Sequence, residues 1–449
     1  MKKTPFNLFE LILIAISFTL LFVYIFLNLQ TITQSSGNIY VYSSFLIMLL
    51  YPIVSIWKAG RLFKVWLVLV IVIVYIFYFL VFPYGDLSLV NDYFLGSKSG
   101  ILFSLLLGFL VCATTSRFFY LYTISSSITR VIQIVFFLAL ATFSAYSSYL
   151  SLLVNGSEVR DDIFLVGEEL KGLYQRPGAF MLIQSIILST FAVFFKRVGV
   201  RKVVVIAIFC LLTVDVIVKF IFSQLLGSNS GALSVLAIYL ITFYFLFSLE
   251  PEYVNRVSLF STFFKGMKKF LRTVFTFTCT IFIFSLFFSF SFELPSLRVF
   301  NFGGANTSGG LSGSFSSRFS LFVNNFATHL DYNPVFGSFI VEKLTTGEGT
   351  YVHSFLSIFT HLGLVGGGLI LSAFVMALSK LYRSSNCSYT SYMNDIYMKN
   401  FRLATFYFVF ILSLISAFFA WMPLWFTVGY LLIPPVKSNF IFVFKQRIE

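Results

Sequence analysis

The chain has 449 residues, of which 58% are hydrophobic and only 11% charged, with a formal net charge of +14. A soluble chain of this length has no means of hiding so much apolar surface, so composition excludes a soluble globular protein and makes lipid the solvent. The positive charge then reads as anchoring at a membrane surface, and nucleic acid is not an expected partner.

Apolar stretches of about 17–25 residues recur along the whole length, each long enough to cross ~30 Å of hydrocarbon as a helix. The ~10-residue alternation of a membrane barrel is absent. The expected fold is an all-α polytopic membrane protein, because in lipid every backbone group must find its partner within the chain. About twelve transmembrane helices are predicted in a single integral membrane domain over residues 1–449: Leu8–Leu29, Ile39–Trp57, Val65–Phe82, Ile101–Thr115, Val131–Val154, Pro177–Phe195, Val203–Phe222, Ala232–Leu249, Thr273–Phe290, Val352–Leu378, Phe401–Ala420 and Leu424–Phe440. The first follows the basic start Met1-Lys2-Lys3, but its apolar run exceeds the roughly 7–15 residues of a signal-peptide core, so it reads as an uncleaved span.

Basic residues orient these spans. The side carrying both termini holds 22 of them, including Lys58, Arg61, Lys64, Lys268, Lys269 and Arg402, and the opposite side holds seven; Lys219 and Lys437 fall inside spans. By the positive-inside rule, both termini are expected to be cytoplasmic. Two exported loops stand out: Asn155–Arg176, of mixed charge, and Ser291–Tyr351, the largest polar piece of the chain.

The large loop opens on glycines and serines. A helix is then predicted from an N-cap at Ser316 or Ser317 to Leu330, with Phe319, Phe322, Val323, Phe326, Ala327 and Leu330 at helical spacing. At 100° per residue, Asn325 and His329 fall within about 20° of Arg318 on a neighbouring face. The helix is therefore expected to lie along the membrane surface, apolar side down, with a polar stripe beside it. Asn333-Pro334 ends it, since a residue before proline avoids the helical region. His353 stands at the mouth of the next apolar span, and His361 lies about 12 Å deeper at 1.5 Å per residue, where a buried hydrogen bond is expected. In the seventh span Asp215 and Lys219 stand four apart, a spacing that lets a pair neutralise itself on one helix face.

The order of these features resembles the signature region of the O-antigen ligase and Wzy-type polymerase superfamily. The pattern is an Arg opening a loop helix (Arg318), an Asn-Pro-x-x-Gly turn (Asn333, Pro334, Gly337), a His with a small residue at the start of a span (His353-Ser354), and a Gly-x-x-Gly (Gly363 to Gly366). Arg176-Pro177-Gly178 resembles the family's Arg at the start of a helix on an earlier exported loop. Gly227-Ser228-Asn229-Ser230-Gly231 resembles a further corner, where Asn229 stands in place of the family's Arg and Lys219 is a candidate substitute for the charge.

The resemblance implies a glycosyltransferase of the bacterial inner membrane, acting at its periplasmic face by inverting transfer, with no metal and no cofactor. A Wzy-type polymerase would join polyprenyl-diphosphate-linked oligosaccharide units into a surface polysaccharide such as O-antigen or capsule. A ligase would instead transfer the glycan to lipid A core, in lipopolysaccharide assembly. A lipid-linked glycan flippase is the alternative from another class. Expected partners are the undecaprenyl-diphosphate-linked glycan, membrane lipid and, for a polymerase, a chain-length regulator. Arg suits the diphosphate because its planar fork binds phosphate oxygens in pairs, which assigns Arg176 and Arg318 to that group. A His suits removal of the acceptor hydroxyl's proton, which assigns His353 as catalytic base. His329, next to Asp331, is the alternative base.

Overall fold

The computed structural model describes residues 6–29, 104–123 except 106, 109 and 113, 125–155, 175–225, 229–247, 311–338, 341, 345–346, 354–383, 396–416 and 421–431. These residues are helical with short connections, and no strand occurs among them. The helices are α1 (Phe6–Leu29), α2 (Ser127–Asn155), α3 (Gln175–Arg197), α4 (Lys202–Leu225), α5 (Asn229–Phe247), α6 (Leu311–Tyr332), α7 (Ser357–Arg383), α8 (Ile396–Ser416) and α9 (Met422–Leu431), together with helical residues between 104 and 123. The expected spans Ile39–Trp57, Val65–Phe82 and Thr273–Phe290 lie outside the described residues, as do most of the loop Asn155–Arg176 and about half of the loop Ser291–Tyr351.

Among the described residues, three helices are long and apolar enough to cross a membrane: Ser127–Ser151 in α2, Pro177–Arg197 in α3 and Lys202–Gln224 in α4. Shorter apolar helices cover Leu11–Phe26, Gly231–Phe247 and Ser357–Ser372. The molecule is thus a helical membrane protein. Helix α3 is its axis. All of its apolar window is buried, whereas only a third of α4's is, so α3 is the element enclosed by the others. It packs against α1, α4, α5, α8 and α9, while α2 packs on α4 and α1.

Phenylalanine does much of the packing. Phe191 of α3 meets Phe18 of α1 at 5.4 Å, Phe118 at 4.9 Å and Phe137 of α2 at 5.6 Å, and Phe119 stacks on Phe194 at 3.6 Å. Edge and offset contacts between aromatic rings add about 0.5–1.5 kcal/mol each beyond area burial. Near this cluster Arg402 of α8 is buried. Its guanidinium lies 5.1 Å over the Tyr430 ring, donates to the Tyr430 carbonyl and reaches Cys112 Sγ at 3.6 Å. The Tyr430 hydroxyl in turn donates to Thr190 Oγ1 at 2.6 Å. The sequence placed Arg402 among the surface anchors. It instead ties α8 to α9 and the helical segment before α2, because its stem lies six residues inside α8, where α9 covers it.

The other departures concern α6 and α7. Helix α6 begins at Leu311, five residues before the expected cap. Leu311 and Phe315 extend the i, i+4 series of Phe319, and one internal glycine costs a helix only about 1 kcal/mol. The span expected to run unbroken over Val352–Leu378 is interrupted in α7 at Gly363, whose φ of 65° and ψ of −177° are not helical.

Candidate functional site

The Asn-Pro-x-x-Gly segment folds as a tight turn. The Gly337 amide donates to the Asn333 carbonyl at 2.7 Å, and the Phe336 amide donates to Asn333 Oδ1 at 3.2 Å. Asn333 thus closes the turn with both main chain and side chain. Gly337 completes it at φ 70°, a region open to glycine and costly for residues with a Cβ.

This turn sits on the break in α7. Leu364 and Val365, the first residues after Gly363, donate their amides to the carbonyls of Pro334 (2.8 Å) and Val335 (3.2 Å). On the other side of the turn, the Ser338 amide donates to the Thr360 carbonyl at 3.1 Å. A helix start leaves its first amides without partners inside the helix. Here the loop supplies them, so the two motifs form one unit. His361, just before the break, is buried, with Nδ1 donating to the Ser357 carbonyl at 2.9 Å.

Helix α6 leads into the turn and packs against α7 and α8. Its outward side is mixed: Phe319 and Val323 are 59% and 56% exposed, beside exposed Ser320, Asn324 and Thr328, while Phe322, Phe326 and Leu330 are half-buried. His329, on the same face as Arg318 and Asn325 by register, is wholly buried, and its Nε2 pairs with Thr346 Oγ1 at 2.8 Å.

Of the residues assigned to chemistry, Arg318 lies on α6 and Arg176 in the first turn of α3. His353 lies outside the described residues. The residues directly after it are fixed: Ser354 Oγ donates to the Leu414 carbonyl at 2.7 Å and the Phe355 amide to the Ser413 carbonyl at 2.8 Å. Helix α8 therefore anchors the start of α7 through its last turn, and it also packs against α6 and α3.

Lys219 is elsewhere. It is completely buried in α4, with Nζ 2.7 Å from Asp215 Oδ2 and 3.3 Å from Ser185 Oγ of α3. Ser144 of α2 donates to Asp215 Oδ1 at 2.6 Å. The four side chains bind the three membrane-length helices together. The i, i+4 pairing follows the sequence spacing. Its partners Ser144 and Ser185 went unnoticed, although Ser144, Ser147, Ser148 and Ser151 share one helical face and carried a signal.

Comparison of the chain with family models, with curated proteins and with solved structures finds no match.

Proposed function

We propose that this chain is a glycosyltransferase of the Wzy polymerase kind, joining undecaprenyl-diphosphate-linked oligosaccharides into a surface polysaccharide at the periplasmic face of the inner membrane. The observation that carries this reading is the docking of the Asn333–Gly337 turn onto the break at Gly363. Two motifs that the sequence resemblance treats separately meet in space, beside an amphipathic helix bearing Arg318.

In this reading Arg176 and Arg318 grip the diphosphate of the donor, and His353 takes the proton of the acceptor hydroxyl. The acceptor oxygen bonds to the anomeric carbon from the face opposite the diphosphate. The bond from that carbon to the phosphate oxygen breaks, and undecaprenyl diphosphate leaves with the electron pair. Cations fixed in advance around the leaving group stabilise the charge that grows there. The exposed Phe319 and Val323 of α6 would rest at the bilayer surface, holding the site at the depth of a lipid-linked diphosphate.

The buried Ser144–Asp215–Lys219–Ser185 cluster favours a second reading, a lipid-linked glycan flippase, because charge inside a membrane often marks a transport path. Purified protein with synthetic lipid-linked repeat units separates the readings. Long chains formed without lipid A core mean a polymerase, and transfer only to core means a ligase. No new glycosidic bond, with transbilayer movement of the lipid, means a flippase.

A further inference from the structure

The surroundings of the Asp215–Lys219 pair differ along the helix axes. Toward the Asn155 end of α2, Ser147, Ser148 and Ser151 continue the face of Ser144, and all are buried. Ser147 and Ser148 donate to the Ser144 carbonyl at 2.8 and 3.0 Å, and Ser151 to the Ser147 carbonyl at 2.8 Å. Each hydroxyl proton is spent on backbone, so the oxygens keep lone pairs to accept with. Toward the other end, Phe137 stacked on Phe191, with Phe195 at 5.4 Å from Phe137, closes the bundle.

Gln184 supplies the second observation. It is wholly buried, and neither its Oε1 nor its Nε2 has a hydrogen-bond partner. Phe137 meets Phe191 while Ser144 reaches the level of Ser185 through Asp215 and Lys219, so α2 and α3 run antiparallel. Seven residues on from Phe137, and seven back from Phe191, Ser144 and Gln184 come level, each within about 20° of the aromatic's direction. The amide thus points toward the α2 side of the cluster. Leaving such a group unsatisfied is costly, so the arrangement calls for a state in which it is used.

We propose that Asp215 is a proton-binding site inside the membrane, reached from the Asn155 end of α2 along its serine face, with Gln184 receiving the lysine when the ion pair opens. A hydronium ion gives one proton to an Asp215 carboxylate oxygen and departs as water. Lys219 keeps its three protons, leaves Asp215 Oδ2 and turns toward Ser185 Oγ and Gln184 Oε1. The cluster passes from neutral to one net positive charge, a state that a low-dielectric interior disfavours. A proton is favoured over a metal cation because the lysine ammonium already fills the cation position against Asp215. Among the described residues, α2 presents only hydroxyls to the pair over Ser144–Ser151. Helix α3 presents Ser185 and Gln184. The titratable Tyr239 of α5, bonded to Thr213 Oγ1 at 2.7 Å, and Cys210 of α4 itself stand on faces of α4 about 160° and 140° away from Asp215. That the Asn155 end faces the exported side rests on the orientation expected from the basic residues.

The test is infrared difference spectroscopy of the full chain in oriented vesicles, with only the outer buffer acidified. A protonated-carboxyl band is expected in the wild type and lost in Asp215→Asn. In the double variant Ser148→Ala, Ser151→Ala it should reach the same amplitude several-fold more slowly. Three results would overturn the proposal: no band at any pH where the chain stays folded, a band that persists in Asp215→Asn, or one that responds to sodium at constant pH. If Asp215→Asn does not accumulate, the wild-type titration and the serine variants decide. A band that rises equally fast from either side refutes the path. No glycan is present, so the polymerase reading stands or falls separately.

Discussion

Gly337 and Gly363, 26 residues apart, face each other backbone to backbone, each at positive φ (70° and 65°). A Cβ on Gly337 would stand 2.5 Å from the His361 carbonyl carbon, and one on Gly363 would stand 2.5 Å from the Phe336 nitrogen. Alanine at either site therefore meets both a backbone clash and a disfavoured conformation, which alone costs about 1–3 kcal/mol. The expected outcome for Gly337→Ala or Gly363→Ala is faster hydrogen exchange at the Leu364 and Val365 amides, whose acceptors would move away. Unchanged protection there would show that the turn and the break are not held by this contact.

Thr346→Val removes the hydroxyl that pairs with buried His329 and should destabilise the fold by about 1–3 kcal/mol. If His353 is the base, Thr346→Val should lower thermal stability while chain growth per folded molecule stays near normal. His353→Ala should abolish chain growth at normal membrane levels. The reverse pattern in a polymer-length assay would transfer the role of base to His329.

Arg176→Lys and Arg318→Lys test the manner of diphosphate binding. A paired grip needs the guanidinium fork, so lysine should fail almost as badly as alanine. Full activity with lysine would leave only a point-charge role for that position.

Lys219→Met strands the Asp215 carboxylate in the membrane interior and should cost about 3–5 kcal/mol. Combining it with Asp215→Asn should recover most of that loss, since no charge is then left alone. The measurement is a thermal denaturation cycle over the two single variants and the double. Strict additivity would mean that the pair makes no energetic contact.

Phe191→Ala empties the centre of the aromatic cluster, where four other rings converge, and should cost about 3–5 kcal/mol. Loss of stability should exceed that for Phe319→Ala, whose ring is exposed on α6. Equal losses in detergent would contradict the burial order.

Helices α1 to α5 were legible because long apolar runs flanked by basic or turn residues mark their own ends. The expected Val131–Val154, Pro177–Phe195 and Val203–Phe222 lie within a few residues of α2, α3 and α4. The break at Gly363 was not legible as a break. Apolar residues continue on both sides of it, and its stabilising carbonyls come from Pro334 and Val335, about thirty residues earlier. Local periodicity carries no trace of such partners. For the same reason the spacing of Asp215 and Lys219 announced their pairing, but nothing local announced Ser185 on another helix. The polar groups of the chain, expected at one membrane face, also occupy its interior for this reason.

The capped break bears on how the chain is made. The rear half of α7 receives its starting acceptors from Pro334 and Val335, and these leave the ribosome before Leu364 does. The receiving turn is thus synthesised ahead of the half-helix it caps. A transplant that moved α7 without its preceding loop would deliver a segment whose first amides face hydrocarbon bare, an arrangement that bilayers reject.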